Sequence, residues 1–214
     1  MIVSSSVMVV MRFVNGLGTA ATAAYGIGIV LDSLIMMPAQ SFAMSMSTIA
    51  GQNIGAGKPE RIGYFLRDTL FVSVGIAIAA GTFLWFGVEW LAHVFQPDPV
   101  DFNEVYPLLK IYIQIMIVRY LMMSMFFPIN GTIRGAGDTI ASMFLVIFTQ
   151  LVIRVPIVIW LVPIMGFKGV AISLAGSTIF GFSIVSIYYL TGRWKRKGIV
   201  MDSQSPVILE PEIE

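Results

Sequence analysis

The sequence predicts an all-α protein, a polytopic bundle of membrane-spanning helices. The chain is 57% hydrophobic and only 12% charged, with a mean hydropathy of +0.86, whereas soluble domains carry about 25% charged residues. Four long runs contain no charge: 13–31, 33–57, 69–88 and 169–192. About 20 apolar residues span a hydrocarbon core of about 30 Å. These runs have no polar face, which helices around a large soluble core would show.

Five full spans are predicted, over 22–50, 68–95, 107–131, 139–163 and 169–191. Turn-forming residues separate them, as at Lys58-Pro59 and Pro97-Asp98-Pro99. Residues 1–14 are apolar but too short to span, so we expect them to be the end of a truncated helix. We therefore expect a transmembrane lobe over 1–197 and a polar, mobile tail over 198–214.

A Gly-Ala-Gly turn occurs twice, at 55–57 and again 80 positions later at 135–137. The first copy differs from a phosphate-binding loop, because five residues separate Gly51 from Gly57 and Pro59 replaces the required Ser or Thr. We expect Gly55 and Gly57 to form left-handed helix caps in a tight connection. A cytoplasmic hinge or gate is the alternative. The motif residues of the two turns are Gly55, Gly57, Arg61, Arg134, Gly135, Gly137 and Asp138.

The distribution of cations predicts the orientation of the chain. Eight cations fall on one side if the spans alternate: Lys58, Arg61, Arg67, Arg134, Arg193, Lys195, Arg196 and Lys197. The first three are expected in one loop and Arg134 in another. On the opposite side Lys168 is the sole loop cation, alongside Asp98, Asp101 and Glu104. The positive-inside rule therefore predicts that both turns and the C-terminus are cytoplasmic.

Three charged residues are predicted to lie inside the membrane, at similar depth. Asp32, Arg119 and Arg154 lie about 15, 18 and 13 Å from the outer face of the bilayer, at 1.5 Å per residue. A charge at this depth is functional unless it is paired. One interpretation is an ion pair between Asp32 and an arginine that locks helices together. The other is a polar cavity in which the charge of Asp32 is coupled to cation or proton movement. Gln40, Gln114 and Gln150 are secondary cavity candidates on the same helices.

Several function classes find no support in the sequence. The net charge of +1 argues against nucleic-acid binding, and without cysteine there are no disulfides or thiolate metal sites. His93 is the single histidine and has only Glu89 as a close acid, which is a weak metal signal and no catalytic triad. We expect neither an enzyme, nor a metal site, nor a cofactor.

The motifs taken together resemble one transporter family. The segments 52–61 (QNIGAGKPER) and 134–139 (RGAGDT) resemble the multidrug and toxic compound extrusion (MATE) family. The segment 31–40 is similar to one bacterial branch of it, and 192–197 to its C-terminal edge, so the resemblance covers 1–197. It implies half of a twelve-helix, two-lobe transporter with substrate between the lobes, and this chain resembles the second lobe.

The resemblance also implies an activity. The whole protein would export amphipathic, often cationic drugs across the bacterial inner membrane in exchange for protons or sodium, by alternating access. Its partners would be the bilayer and the N-terminal lobe or a second copy of this chain. Two alternatives stay open: a flippase for a lipid-linked precursor, which needs a strongly cationic cavity, and an inactive or dimerising fragment.

One position departs from the family pattern. Sodium-coupled members carry an acid in the helix matching 107–131. Here that helix has Lys110 and Arg119 and no acid after Glu104. A sodium site of that type is therefore not expected in this lobe.

Overall fold

The computed structural model describes residues 2–95 and 101–196, and all the regular structure in these residues is helical. The helices are α1 (Ile2–Asn15), α2 (Thr19–Gly55), α3 (Arg61–Phe95), α4 (Phe102–Gly135), α5 (Thr139–Ile147), α6 (Arg154–Met165) and α7 (Phe167–Leu190). A π-helix (Phe148–Ile153) joins α5 to α6, and a short 3₁₀ helix (Arg193–Arg196) follows α7. Five units are long and apolar enough to span a membrane: α2, α3, α4, the α5–α6 unit and α7. The predicted all-α fold is confirmed; the tail 198–214 and the break at 97–99 lie outside the described residues.

The first three long helices extend beyond the apolar runs that predicted them. They contain 37, 35 and 34 residues, or about 50–55 Å at 1.5 Å per residue. The expectation that Arg61 and Arg67 lie in a loop with Lys58 is therefore wrong, because both lie in the first turns of α3. Arg134 likewise lies in the last turn of α4 rather than in a loop. Backbone hydrogen bonding continues until a turn stops it, whether or not the side chains are apolar.

The two Gly-Ala-Gly turns share one backbone geometry. In the first turn, the amide N–H groups of residues 56, 57 and 58 donate to the carbonyl oxygens of residues 52, 54 and 53 respectively. The second turn repeats the pattern 80 positions later, with residues 136, 137 and 138 donating to 132, 134 and 133. Gly57 and Gly137 have φ of 68° and 93°. A left-handed residue just past the helix end is the usual C-terminal cap. Gly55 has no positive φ and ends α2, so the expectation of a left-handed Gly55 is wrong.

Helix α4 lies at the centre of the bundle and packs against α2, α3 and α7. It supplies several fully buried side chains: Leu109, Tyr112, Ile113, Met116 and Tyr120. Helix α3, in contrast, exposes Phe71, Phe86 and Trp90. An apolar outer surface of this extent suits lipid rather than water.

Near the Gly-Ala-Gly turns, α2 and α4 approach until their backbones touch. A Cβ at Gly131 would lie 2.8 Å from Cα of Ala43, and one at Gly135 would overlap the carbonyl of Ser47. Small residues four apart allow such close approach between membrane helices. Gly135 is therefore a packing glycine, which corrects its assignment to the turn; the positive φ belongs to Gly137.

The fourth span is not regular. The π-helix Phe148–Ile153 ends shortly before Pro156. Proline has no N–H to bond the carbonyl four residues earlier, and its ring clashes with that carbonyl in a regular α-helix. A wider turn relieves this clash, and π-turns within α-helices are frequent at functional sites.

Candidate functional site

The carboxylate of Asp32 on α2 accepts three hydrogen bonds from side chains of α4. Arg119 Nη1 donates to Oδ2 at 2.8 Å, Tyr112 Oη donates to Oδ2 at 3.0 Å, and Tyr120 Oη donates to Oδ1 at 2.5 Å. The side chains of Arg119 and Asp32 are only 10% and 15% exposed. We refer to these four residues as the Asp32 cluster. It places an ion pair with hydroxyl donors in the interior of the bundle, where bonds to charged groups are strong.

Helical spacing and one glycine bring the cluster together. Tyr112 and Arg119 are seven residues, or about two turns, apart, so they share one face of α4. On α2, Gly28 lies one turn before Asp32. A Cβ at Gly28 would lie 2.6 Å from Cε1 of Tyr112, so this ring reaches Asp32 only because residue 28 has no side chain.

Arg154, predicted as a partner of Asp32, forms a different contact. It begins α6, is 4% exposed, and donates from Nε to Ser177 Oγ on α7 at 3.2 Å. Its Nη2 is buried and has no hydrogen-bond partner among the described residues. Arg154 nonetheless lies near enough to Arg119 and Asp32 for electrostatic interaction. The buried polar zone thus holds two guanidinium groups and one carboxylate.

Gln150 lies beside Arg154 rather than beside Asp32. Together with Thr149, Thr178 and Arg154 it lines a small cavity next to the π-helix, with room for about one water molecule. Its Oε1 is buried without a hydrogen-bond partner in the described part of the chain. Two residues that line the cavity, Arg154 and Gln150, thus each have a buried polar atom that could bond a small polar guest.

The other two predicted glutamines do not join the buried zone. Gln40 is exposed on α2, and Gln114 is exposed on α4, where it lines a groove facing α3. Both were predicted because they are polar residues on the same helices as the buried charges. Gln114 precedes Arg119 by five residues, or about 140° around the helix, so it lies on another face of α4.

The sequence reasoning missed the hydroxyl groups. Tyr112, Tyr120 and Ser177 supply hydrogen bonds to the predicted charges, and Tyr25 packs edge-on against Tyr112, with ring centroids 6.0 Å apart. The available signal was spacing: Tyr25 precedes Asp32 by seven residues, as Tyr112 precedes Arg119. A tyrosine about two turns from a charge shares its helix face, so both side chains point toward the same neighbouring helix, where Tyr112 meets Asp32.

The turn motifs contribute one further buried contact. Asp138, 2% exposed at the second Gly-Ala-Gly turn, accepts a hydrogen bond from Tyr188 Oη of α7. Arg61 and Arg134 are exposed. The second turn is therefore anchored to α7, and the arginine beside each turn is available to solvent or headgroups.

His93 stacks on Phe102, with ring centroids 3.9 Å apart. Within residues 2–95 and 101–196, no three His, Cys, Asp or Glu side chains form a group that could hold a metal ion.

Several known proteins are similar to this chain in sequence or in fold. The chain is 27% identical over 197 residues to the probable multidrug resistance protein YpnP of Bacillus subtilis, covering 91% of this chain and 43% of that protein. It is 24% identical over 196 residues to the probable multidrug resistance protein NorM of Thermotoga maritima, covering 89% of this chain and 41% of that protein. The fold matches that of a MOP superfamily transporter from Pyrococcus furiosus with a TM-score of 0.74 at 18% identity, covering 93% of this chain and 43% of that one.

The chain thus spans less than half the length of these relatives. A family model, MatE, matches residues 1–160. Together with the five apolar helices, this match makes the chain part of a multi-pass membrane transport family. The chain belongs to the MatE family of multidrug and toxic compound extrusion transporters.

Proposed function

We propose that the chain forms one lobe of a two-lobe exporter in the cell membrane. The exporter exchanges protons or sodium ions for amphipathic, often cationic drugs. Family membership and the names of the relatives support drug efflux. The chain spans 43% of the YpnP relative, which leaves room for a second lobe of similar size.

The Asp32 cluster is the observation that carries this proposal. A charged side chain within a membrane helix costs about 2.5–3.5 kcal/mol on insertion scales, and such charges, including those that pair with one another, commonly line substrate or ion pathways. Asp32 keeps 15% of its side chain accessible while accepting three bonds. Two roles follow from this geometry: a lock between α2 and α4, and a carboxylate whose partners change as an ion or drug binds.

The proposal is tested by transport. The protein encoded by the whole gene is reconstituted into liposomes and given a pH gradient or a sodium gradient. We expect one of the two gradients to drive accumulation of ethidium, and an ionophore that collapses the gradient to stop it. Absence of gradient-driven ethidium movement would contradict the proposal.

A second candidate function is transport of an anion, such as the pyrophosphate of a lipid-linked precursor. The observation that favours it is the excess positive charge of the buried zone, where Arg154 has no carboxylate partner among the described residues. In the same liposomes, flipping of a labelled lipid-linked precursor without ethidium movement would select this candidate.

The proposed orientation has its own test. The chain contains no cysteine, so single cysteines can be introduced at Lys58, in the first turn, and at Lys168, at the start of α7, both exposed. We expect an impermeant maleimide to label Lys168→Cys in intact cells and Lys58→Cys only after permeabilisation. The reverse pattern would contradict a cytoplasmic position for the turns.

A further inference from the structure

A groove on the outside of the bundle combines a charged part with an apolar part. It lies between α3 and α4 and consists of two adjoining cavities of about 330 and 320 Å³ that share Trp85 and Phe86 as walls. Glu89 and Lys110 line the first cavity. Apolar and small side chains line the second, among them Ile78, Gly81, Ile117 and Leu121. Each cavity is at the lower end of the range for small-molecule sites.

The two charges in the groove do not pair with each other or with another charge in the part of the chain that the structure describes. Glu89 and Lys110 are both exposed, and among residues 2–95 and 101–196 neither forms a hydrogen bond or an ion pair. Lys110 Nζ lies over the ring of Tyr106, 5.6 Å from its centroid. Opposite charges that share a groove without neutralising each other suit a ligand that carries both signs.

The position of the charges along the helices fits the edge of a membrane. Glu89 directly follows the uncharged run 69–88 of α3, and Lys110 directly precedes the uncharged run 111–118 of α4. Both therefore lie where the apolar part of a span begins, the depth of lipid headgroups. The apolar cavity continues inward from this edge, at the depth of acyl chains.

A stack of aromatic rings fixes the wall of the charged part. His93 of α3 stacks on Phe102 of α4, and Phe102 stacks on Tyr106 with ring centroids 5.4 Å apart. Trp85 and Phe86 are 49% and 80% exposed on the other wall. Such rings provide apolar contact area at low conformational cost.

We propose that the groove between α3 and α4 binds a zwitterionic phospholipid, with its ammonium at Glu89, its phosphate at Lys110 and an acyl chain along Gly81 and Ile117. An anionic lipid would satisfy Lys110 but be repelled by Glu89. A cationic drug would satisfy Glu89 and be repelled by Lys110. The lipid class that presents both charges at headgroup depth matches both residues.

Native mass spectrometry of the delipidated, purified chain tests this assignment, with dioleoyl phosphatidylethanolamine and dioleoyl phosphatidylglycerol as probes. We expect one phosphatidylethanolamine molecule to be retained with at least about tenfold preference over phosphatidylglycerol. Glu89→Gln should remove this preference, and Lys110→Gln should lower the retention of both lipids. Thr82→Trp, which fills the apolar cavity, should also lower the retention of both lipids. Glu104→Gln, an exposed acid of the first turn of α4 outside the groove, is the matched control and should change nothing.

Equal retention of the two lipids by the unmodified chain would overturn the proposal, as would an unchanged preference in Glu89→Gln. Displacement of the bound lipid by ethidium in the unmodified chain but not in Glu89→Gln would instead make the groove a cation site. Lipid retention is measured without transport, so its outcome is independent of the proposed efflux.

Discussion

Asp32→Asn is expected to abolish ion-coupled drug transport by the whole protein. The change keeps the size of the side chain and an oxygen acceptor for Tyr120, but it removes the charge that neutralises Arg119. Leaving one member of a buried ion pair without its partner costs about 3–5 kcal/mol. Ethidium transport in liposomes and thermal unfolding in detergent measure the two consequences separately.

The chain offers a matched control, Asp68→Asn. Asp68 pairs with Arg67 at 3.0 Å, but the two side chains are 68% and 75% exposed. Exposed pairs contribute about 0–1 kcal/mol, so this variant should transport and unfold normally.

A double variant, Asp32→Asn with Arg119→Met, separates the two roles of the cluster. It removes both charges, so stability should recover relative to Asp32→Asn alone. If Asp32 takes part in transport, activity stays lost; if the pair is only a lock between helices, activity returns with stability. Normal transport by the single variant at normal protein level would exclude both roles.

Gly131→Leu is expected to prevent the native packing of α2 against α4. The smallest added atom, a Cβ, already lies 2.8 Å from Cα of Ala43, and the obstacle is backbone rather than a flexible side chain. Overpacking commonly lowers stability by about 1–3 kcal/mol. We expect a loss at or above the upper end of this range, because backbone atoms cannot move aside as a side chain can. Size-exclusion profiles and unfolding temperature of the purified chain measure the effect.

Gly75→Leu in α3 is the matched control, since a Cβ there has no neighbour within 4 Å. Both variants exchange a helical glycine for the same residue, so intrinsic helix propensity changes equally. Equal unfolding temperatures for the two variants would show that α2 and α4 do not approach as closely as described.

Hydrophobicity along the chain was enough to predict the five spans, because the thickness of the bilayer sets the length of apolar run that a span needs, and such runs can be read directly from the sequence. The helix ends were less predictable. Arg61 and Arg134 belong to helices although they are charged, since turns end helices and charges do not.

Counting residues from the membrane surface predicted the depth of the charged groups but not their direction. Gln114 precedes Arg119 by five residues, which turns it by about 140° at 100° per residue. Gln40 is exposed although it follows Asp32 by eight residues, the same spacing as between Tyr112 and Tyr120, which both bond Asp32. Depth was thus sufficient to propose Asp32 and Arg119 as neighbours, whereas a position on the same helices was not sufficient to place these glutamines beside them.

The pairing of Arg154 with Ser177 could not be predicted. It depends on how α6 leaves the π-helix and meets α7, and this is set by packing between helices distant in sequence. The backbone contact of Gly131 and Gly135 with α2 could not be predicted either. In the sequence both glycines look like turn residues, and only the structure shows that they lie against Ala43 and Ser47.

The close approach at Gly131 and the Asp32 cluster join α2 and α4 at two heights, about 16 Å apart along α2. One attachment alone would leave a pivot, but two prevent both rocking and twisting of one helix against the other. In any movement between states, α2 and α4 therefore move together as one rigid unit. Bending has to occur in other helices, and the fourth span, with 22% of its most apolar window buried and a π-turn at its centre, has the least to restrain it.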